Sequence, residues 1–287
     1  ADAKYISVGA TTVLDGAEIE LDETLLKQTG VRVVTKGNTI FLAGAHDYGT
    51  LYAAYEFLSY AFDWEVFADN VITYNAVTDV PLMQYDVTEV PDFEFNVAGH
   101  LSVRNNVDLR NRFRMIQLQD QTVTKNDNIY HDSLDWLPGA TYAKAHPDWY
   151  STRGYSSAIG GGNLCYNARG NAAELEEMKN TLVELMKERI KAFPNKKYIS
   201  FSITDTRTTI CDCKACTDMA KAYGGTQSAA VVKFLNDVRA RLQVWFDSAD
   251  GKQYYNGQKI LFLAYHATNA PPVNYDEATK QYTPIDE

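Results

Sequence analysis

One succession constrains this chain more than any other feature. "NAAELEEMKNTLVELMKERIKAF" (171–193) is followed by "KYISFSIT" (197–204), "SAAVVKFLNDVRARLQVWF" (228–246) and "KILFLAYH" (259–266). The first and third are long helix patterns, and the second and fourth are mostly apolar strands. Asn171 is placed to cap the first helix, with Glu174 at its third position. Leu175, Met178, Leu182, Met186 and Phe193 fall near one stripe, and Pro194 stops it. Val231, Leu235, Val238, Leu242 and Trp245 form the inward stripe of the second. Helix, strand, helix, strand in this order implies a parallel α/β sheet or a (β/α) barrel. "FEFNVAG" (93–99) and, less clearly, "RFRMIQLQ" (112–119) read as earlier strands.

The first 80 residues read differently. "VRVVT" and "TIFLAG" flank Lys36-Gly37-Asn38 and predict a hairpin. "YGTLYAAYEFLSYAF" predicts a helix with Leu51, Tyr55, Leu58 and Phe62 on one face. "YISVG" and "NVITY" add strand candidates. Pro81 and Pro91 interrupt regular structure between the halves. The expected organisation is α/β: a small α+β domain at 1–80, a linker at 81–92, and a (β/α)-barrel domain at 93–287. A closed eight-stranded barrel typically takes about 250 residues, so this second domain reads as unfinished. "NAPPVNYDEATKQYTPIDE" reads as loop.

A net charge of −10 disfavours nucleic acid or an anionic membrane as partner. No apolar run approaches the roughly 20 residues that a spanning helix needs, and no leader pattern opens the sequence. No phosphate loop, dinucleotide fingerprint or Ser-His-Asp order is present; "AIGGGNLC" has the wrong glycine spacing. Nineteen Tyr and four Trp lean towards sugar binding, since these rings pair an apolar face with a polar edge.

Parallel α/β folds place their sites at the carboxyl ends of strands. That rule selects Asp205 after "ISFSIT", Tyr265 and His266 after "ILFLA", and His100 after "FEFNVAG". A polar and aromatic stretch from His131 to Arg153, including Trp136, His146, Trp149 and Tyr150, could line a sugar subsite. Each has a plain alternative: a capping Asp, a hydrogen-bonded structural His, a loop packed on its own aromatics. Cys211, Cys213 and Cys216 make C-x-C-x-x-C, with Cys165 upstream. Four thiolates suit tetrahedral zinc, two disulfides suit an oxidising compartment, and unpaired thiols are the third option. The expectation is a staple at Asp205's loop, with zinc ahead of disulfides.

"HDSLDWLPGATYAKAHPDWYS", "GGNLCYN", "ISFSITDTRTTICDCKACTDMAKAYGGTQSAAVVKFLNDVRARL" and "LAYHATNAPP" resemble the family called domain of unknown function 4838, bacterial proteins similar to glycoside hydrolases. "GNTIFLAGAHDYGTLYAAYEFLSYAFDWEVF" is similar to the small domain preceding the barrel in α-glucuronidases and family 20 β-hexosaminidases. Together they run from about Tyr5 to Pro272. The resemblance implies a (β/α)8 barrel acting on glycans outside the cytosol, in the periplasm or secreted. It makes "SITD" the fourth barrel strand and Asp205 the acid, with His131, Trp149, Tyr265 and His266 as substrate contacts. Thr204 stands where the family often has Asn. No cofactor is expected in catalysis, zinc being structural only. The second carboxylate of a glycosidase is expected beyond Glu287. The alternatives are a non-catalytic carbohydrate-binding module on the same fold and a zinc-stapled domain without a ligand.

Overall fold

The computed structural model describes residues 3–68, 70–93, 95–97, 100–116, 121–126, 129–153, 162–205 and 209–284. The chain divides into two compact units, 1–118 and 119–287.

Unit 1 begins with β1 (Tyr5–Val8), the single-turn helices α1 (Thr12–Asp15) and α2 (Glu23–Leu26), then β2 (Val31–Lys36) and β3 (Thr39–Ala43). The expected hairpin forms, with Lys36 opposite Thr39. Gly37 sits at φ 60° in the first position of its two-residue turn, where a II′ turn needs glycine. β1 joins β3 in parallel and β6 (Asp86–Glu89) joins β2 antiparallel, giving the order β1-β3-β2-β6. β6 lies within the stretch expected as a linker, and the division between units falls at 118 instead. Alternating Asp86, Val87, Thr88 and Glu89 against β2 gives that stretch a strand's pattern despite its flanking prolines.

α3 (Asp47–Phe62) covers the sheet. Its buried face is Gly49, Tyr52, Ala53, Glu56 and Phe57, not the expected Leu51, Tyr55, Leu58 and Phe62. Both stripes have helical spacing. Close backbone approach selects the first, since a Cβ on Gly49 would lie 2.4 Å from the Gly30 carbonyl oxygen. Tyr52, Ala53 and Phe57 then pack on Val31, Val33, Ile40 and Leu42. A hairpin of β4 (Glu65–Ala68) and β5 (Val71–Thr73), then α4 (Leu101–Arg104) and α5 (Val107–Arg112), complete the unit. Glu56, though buried, accepts hydrogen bonds from Arg112 at 3.0 Å and Arg114 at 2.8 Å. Arg112 also grips Glu65 through Nε at 2.9 Å and Nη2 at 2.6 Å, tying α5 to α3 and β4. Arg114 pairs with Glu89.

The described parts of "FEFNVAG" and "RFRMIQLQ" are not strands: 95–97 is irregular, and Arg112 ends α5 before a turn. Residues 94, 98, 99 and 117–120 lie outside the described residues.

Unit 2 holds β7 (Thr122–Val123), β8 (Tyr198–Ser200) and β9 (Lys259–Leu261), parallel and in that order. Between β7 and β8 come α6 (Ser133–Trp136), α7 (Gly139–Tyr142) and the long α8 (Ala172–Ala192). Asn171 caps α8 through the Glu174 N–H at 3.3 Å, as its sequence predicts. Between β8 and β9 come α9 (Lys214–Ala222) and α10 (Ser228–Phe246). Ile199, Phe201 and Ile203 meet Val231, Phe234 and Val238 of α10 in one core. The alternate residues Ser200 and Ser202 are also buried but hydrogen-bonded: Ser200 donates to the Ile129 carbonyl at 3.1 Å, and Ser202 Oγ accepts from Leu263 N–H at 3.1 Å. Both faces of this strand are covered, as parallel sheets require.

The stretch after Ala270, expected as loop, forms a hairpin of β10 (Val273–Asp276) and β11 (Gln281–Pro284). Asp276 makes its turn by accepting from the N–H groups of Ala278 at 2.8 Å and Thr279 at 3.2 Å. Among the described residues no helix is long and apolar enough to cross a membrane.

Candidate functional site

Three segments meet beyond the carboxyl ends of β8 and β9. Phe201 to Asp205 extends β8, Phe262 to Thr268 extends β9, and His131 to Ser133 opens α6. The last clamps the first: Ser133 N–H donates to Ser202 O at 2.9 Å, and the Asp132 carboxylate accepts from Ser202 N–H at 2.6 Å. His131 Nδ1 lies 2.8 Å from the Ile203 carbonyl. Its ring is 5.7 Å from that of Tyr265, which is 3.8 Å from His266. Tyr265 is 37 % exposed and His266 is exposed. The turn beneath them is fixed by buried Thr268, whose hydroxyl donates to Leu263 O at 2.9 Å and accepts from Tyr265 N–H at 3.2 Å. His131 and His266 both have left-handed backbones, at φ 58° and 46°. Such strain in non-glycine residues concentrates at functional sites.

His131, Tyr265 and His266 are thus gathered in one group. Asp205 follows two residues after Ile203 and is exposed; among the described residues its carboxylate makes no hydrogen bond or ion pair. No hydrogen bond or ion pair joins it to either histidine. A carboxylate so placed is available to a ligand. Its neighbour Thr204 is held by N–H donation to Asn163 Oδ1 at 3.3 Å and by its hydroxyl to Gly162 O.

Trp149 corrects the sequence reading. Its ring is 0 % exposed, stacked on His146 at 4.1 Å and tilted against Tyr142 at 5.4 Å, and Tyr150 is buried beside it. Neither ring has an open face for a sugar. "HPDWY" is a core turn: Cys165 N–H donates to the Trp149 carbonyl at 2.7 Å, and Tyr150 pairs with Leu164.

Asp132 is the residue that the sequence reading undervalued. It is buried, with Trp136 Nε1 donating to it at 3.3 Å. Burial pushes its carboxyl above the ordinary range, against the lowering effect of the Ser202 N–H. The folded chain then keeps a proton that the unfolded chain has lost. Stability should therefore fall as pH rises from about 4, the unfolded value, through the folded value. Asp132→Asn should remove that slope. It should also cost about 1–3 kcal/mol, because an amide NH2 or a lone oxygen cannot satisfy both donors. Urea unfolding across acidic pH reads both effects, and an unchanged slope would show that Asp132 does not titrate there.

Cys165, Cys211, Cys213 and Cys216 converge, their sulfurs all within 4.8 Å of one another. None of the four forms a disulfide, and three of them are buried. Cys165 Sγ lies 3.7 Å from Cys213 Sγ and 3.6 Å from Cys216 Sγ. Hydrogen bonding with Cys211 pushes the Cys165 thiol up to about 12. Cys211 is lowered by hydrogen bonds from Cys165 and Cys216, and Cys216 is raised by its bonds to the other two. One thiolate at Cys211 is favoured, and packed like charges oppose more. A second group, His146 with Glu174 and Glu177, is built otherwise. Its two ring nitrogens face different carboxylates, Nδ1 at 2.9 Å from Glu174 and Nε2 at 3.9 Å from Glu177.

No curated protein and no solved structure matches the chain. A family profile does match, over residues 68–280, which take in the end of unit 1 and nearly all of unit 2, with every residue of the cluster just described. On that match the chain belongs to the family described as Domain of unknown function (DUF4838).

Proposed function

We propose that the face beyond β8 and β9 is a carbohydrate site of a glycoside hydrolase, with Asp205 as the general acid and His131, Tyr265 and His266 as substrate contacts. The observation that carries this reading is an exposed carboxylate, without a partner among the described residues, in the segment that follows β8, in the same unit as a strained His–Tyr–His group. A partly open tyrosine ring offers a sugar an apolar face with a hydroxyl at its edge. Imidazoles add donors and acceptors for sugar hydroxyls. Three parallel strands in sequential order are consistent with part of a (β/α) barrel, whose sites lie at this end. Unit 1, a helix over a mixed sheet, would be the small domain that precedes such a barrel in α-glucuronidases.

Hydrolysis with either stereochemistry uses two carboxyl groups. Among the described residues the cluster supplies one, since Asp132 is buried and already accepts from Ser202 and Trp136. That observation favours, as the second reading, a glycan-binding face without turnover. Calorimetry and hydrolysis assays on a panel of oligosaccharides separate the two. Binding is expected, and Tyr265→Ala should weaken it several-fold, about 1 kcal/mol for a lost stacking face. Cleavage of any bound glycan selects the hydrolase; binding alone selects the module. A panel with no binder, or binding indifferent to Tyr265→Ala, removes this face as a sugar site.

A further inference from the structure

The two segments that flank Asp205 both lead to the cysteine cluster. On the near side, Thr204 hangs on Asn163 and Gly162, and Cys165 follows Asn163 by two residues. On the far side, Ile210 to Cys213 is clamped by several groups. Ser151 Oγ donates to Ile210 O at 2.6 Å, Gln227 Nε2 donates to Cys211 O at 3.0 Å, and Arg153 Nε donates to Asp212 at 2.8 Å. Cys165 belongs to the first segment, and Cys211 and Cys213 belong to the second. Cys216 stands in the first turn of α9, which Cys213 opens as its N-terminal flanking residue.

The sulfurs are arranged as ligands. Zinc–sulfur bonds of about 2.3 Å at tetrahedral angles put sulfurs about 3.8 Å apart, close to the 3.6 and 3.7 Å found here. Thiols in plain van der Waals contact would also lie near that separation. The donors aimed at the sulfurs distinguish the two cases. Arg169 N–H points at Cys165 Sγ at 3.1 Å, and Asn167 Nδ2 at Cys216 Sγ at 3.4 Å. Thr152 Oγ1, whose proton goes to Asp212, lies 3.6 Å from Cys211 Sγ and is not one of these donors. N–H groups directed at sulfur support thiolates, as the outer shell of a metal site does. The positive end of α9 faces the same sulfurs. A disulfide needs sulfurs about 2.05 Å apart.

We propose that Cys165, Cys211, Cys213 and Cys216 bind one zinc ion as a tetrahedral tetrathiolate, which pins both segments flanking Asp205. Binding forms four Zn–S bonds and sends the thiol protons to solvent, leaving a centre of net charge −2. Four sulfurs and no oxygen or nitrogen close the coordination sphere, so the ion is structural. This inference stands on the cluster's geometry and not on the proposed hydrolysis.

Elemental analysis of the purified chain should give about one zinc per molecule. Native thiol titration should show all four cysteines protected until a chelator is added. Cys216→Ser should lower zinc affinity at least about 10-fold, and if that variant does not fold, cobalt(II) exchanged into the unaltered chain replaces it as the test. A tetrathiolate then shows intense visible d–d bands and sulfur-to-cobalt charge transfer in the near ultraviolet. Removing the metal should also speed exchange of the Thr204 amide, which donates to Asn163. Four thiols reactive in the native protein without metal, two disulfides, or stoichiometric iron would each overturn the zinc assignment. A Thr204 amide whose exchange ignores the metal would overturn the pinning.

Discussion

Asp205→Asn should lower turnover of a cleaved glycoside at least about 10²-fold, the low end for a lost general acid. The amide keeps the shape of the side chain and removes its proton. Because Asp205 is exposed and unpartnered among the described residues, the unfolding free energy should stay within about 0.5 kcal/mol of the parent. That combination separates chemistry from folding, which a buried residue could not do. Substrate affinity should change little, so the loss should appear in kcat. Turnover near that of the parent, with the fold intact, would remove Asp205 from the mechanism while leaving Tyr265 and His266 as binding groups. The leaving group matters as a control. Glycosides whose leaving group departs without protonation should lose much less, since they do not need the acid.

The second large effect belongs to unit 1. Arg112→Ala should destabilise that unit by about 3–5 kcal/mol, the range for breaking a buried ion pair from one side. Arg112 and Arg114 face three carboxylates, those of Glu56, Glu65 and Glu89. Without Arg112, Arg114 still reaches Glu56 and Glu89, but Glu65 loses its cation and buried Glu56 loses one of its two. Arg112→Lys should recover only part, because an ammonium cannot hold Glu65 in a two-pronged grip while reaching Glu56. Acid adds a second signature. The Arg112 guanidinium holds Glu65 below its usual range, against a smaller opposing effect of burial. A depressed folded value contributes stability above the unfolded pKa and loses it as pH falls through the folded one. The parent should therefore lose part of its stability below about pH 4.3, the ordinary Glu value, and Arg112→Ala should not show this loss. Chemical unfolding of both proteins at neutral and acidic pH measures it. A variant as stable as the parent would mean that the network is solvated.

The elements carried by strong local patterns were legible in the sequence. α8 has a cap, a stop and a stripe of which Met178, Leu182 and Met186 are buried, whereas Phe193 is exposed. In α10 all five stripe residues are buried, together with Phe234 and Phe246. The β2–β3 hairpin has Gly37 where its turn needs it. What was hidden depends on partners distant in the chain. α3 offers two stripes of equal spacing, and only the approach of Gly49 to Gly30 selects one. Trp149 read as a platform because hydropathy cannot tell a ring beside a polar loop from one beneath it. Its burial follows from pairing with the segment that holds Cys165. The convergence of four cysteines was readable from spacing and strand order. The role of Asp132 was not, since its acceptors bind a backbone N–H seventy positions away.

The left-handed backbones of His131 and His266 have a consequence for engineering and for evolution. A side chain held at such angles costs about 1–2 kcal/mol that glycine would not. Selection for heat resistance alone would therefore drift both positions towards glycine, while selection for the proposed sugar binding would hold the imidazoles. The two pressures pull on the same pair of codons in opposite directions, so the most thermostable variants of this chain should be sought among those with the least function.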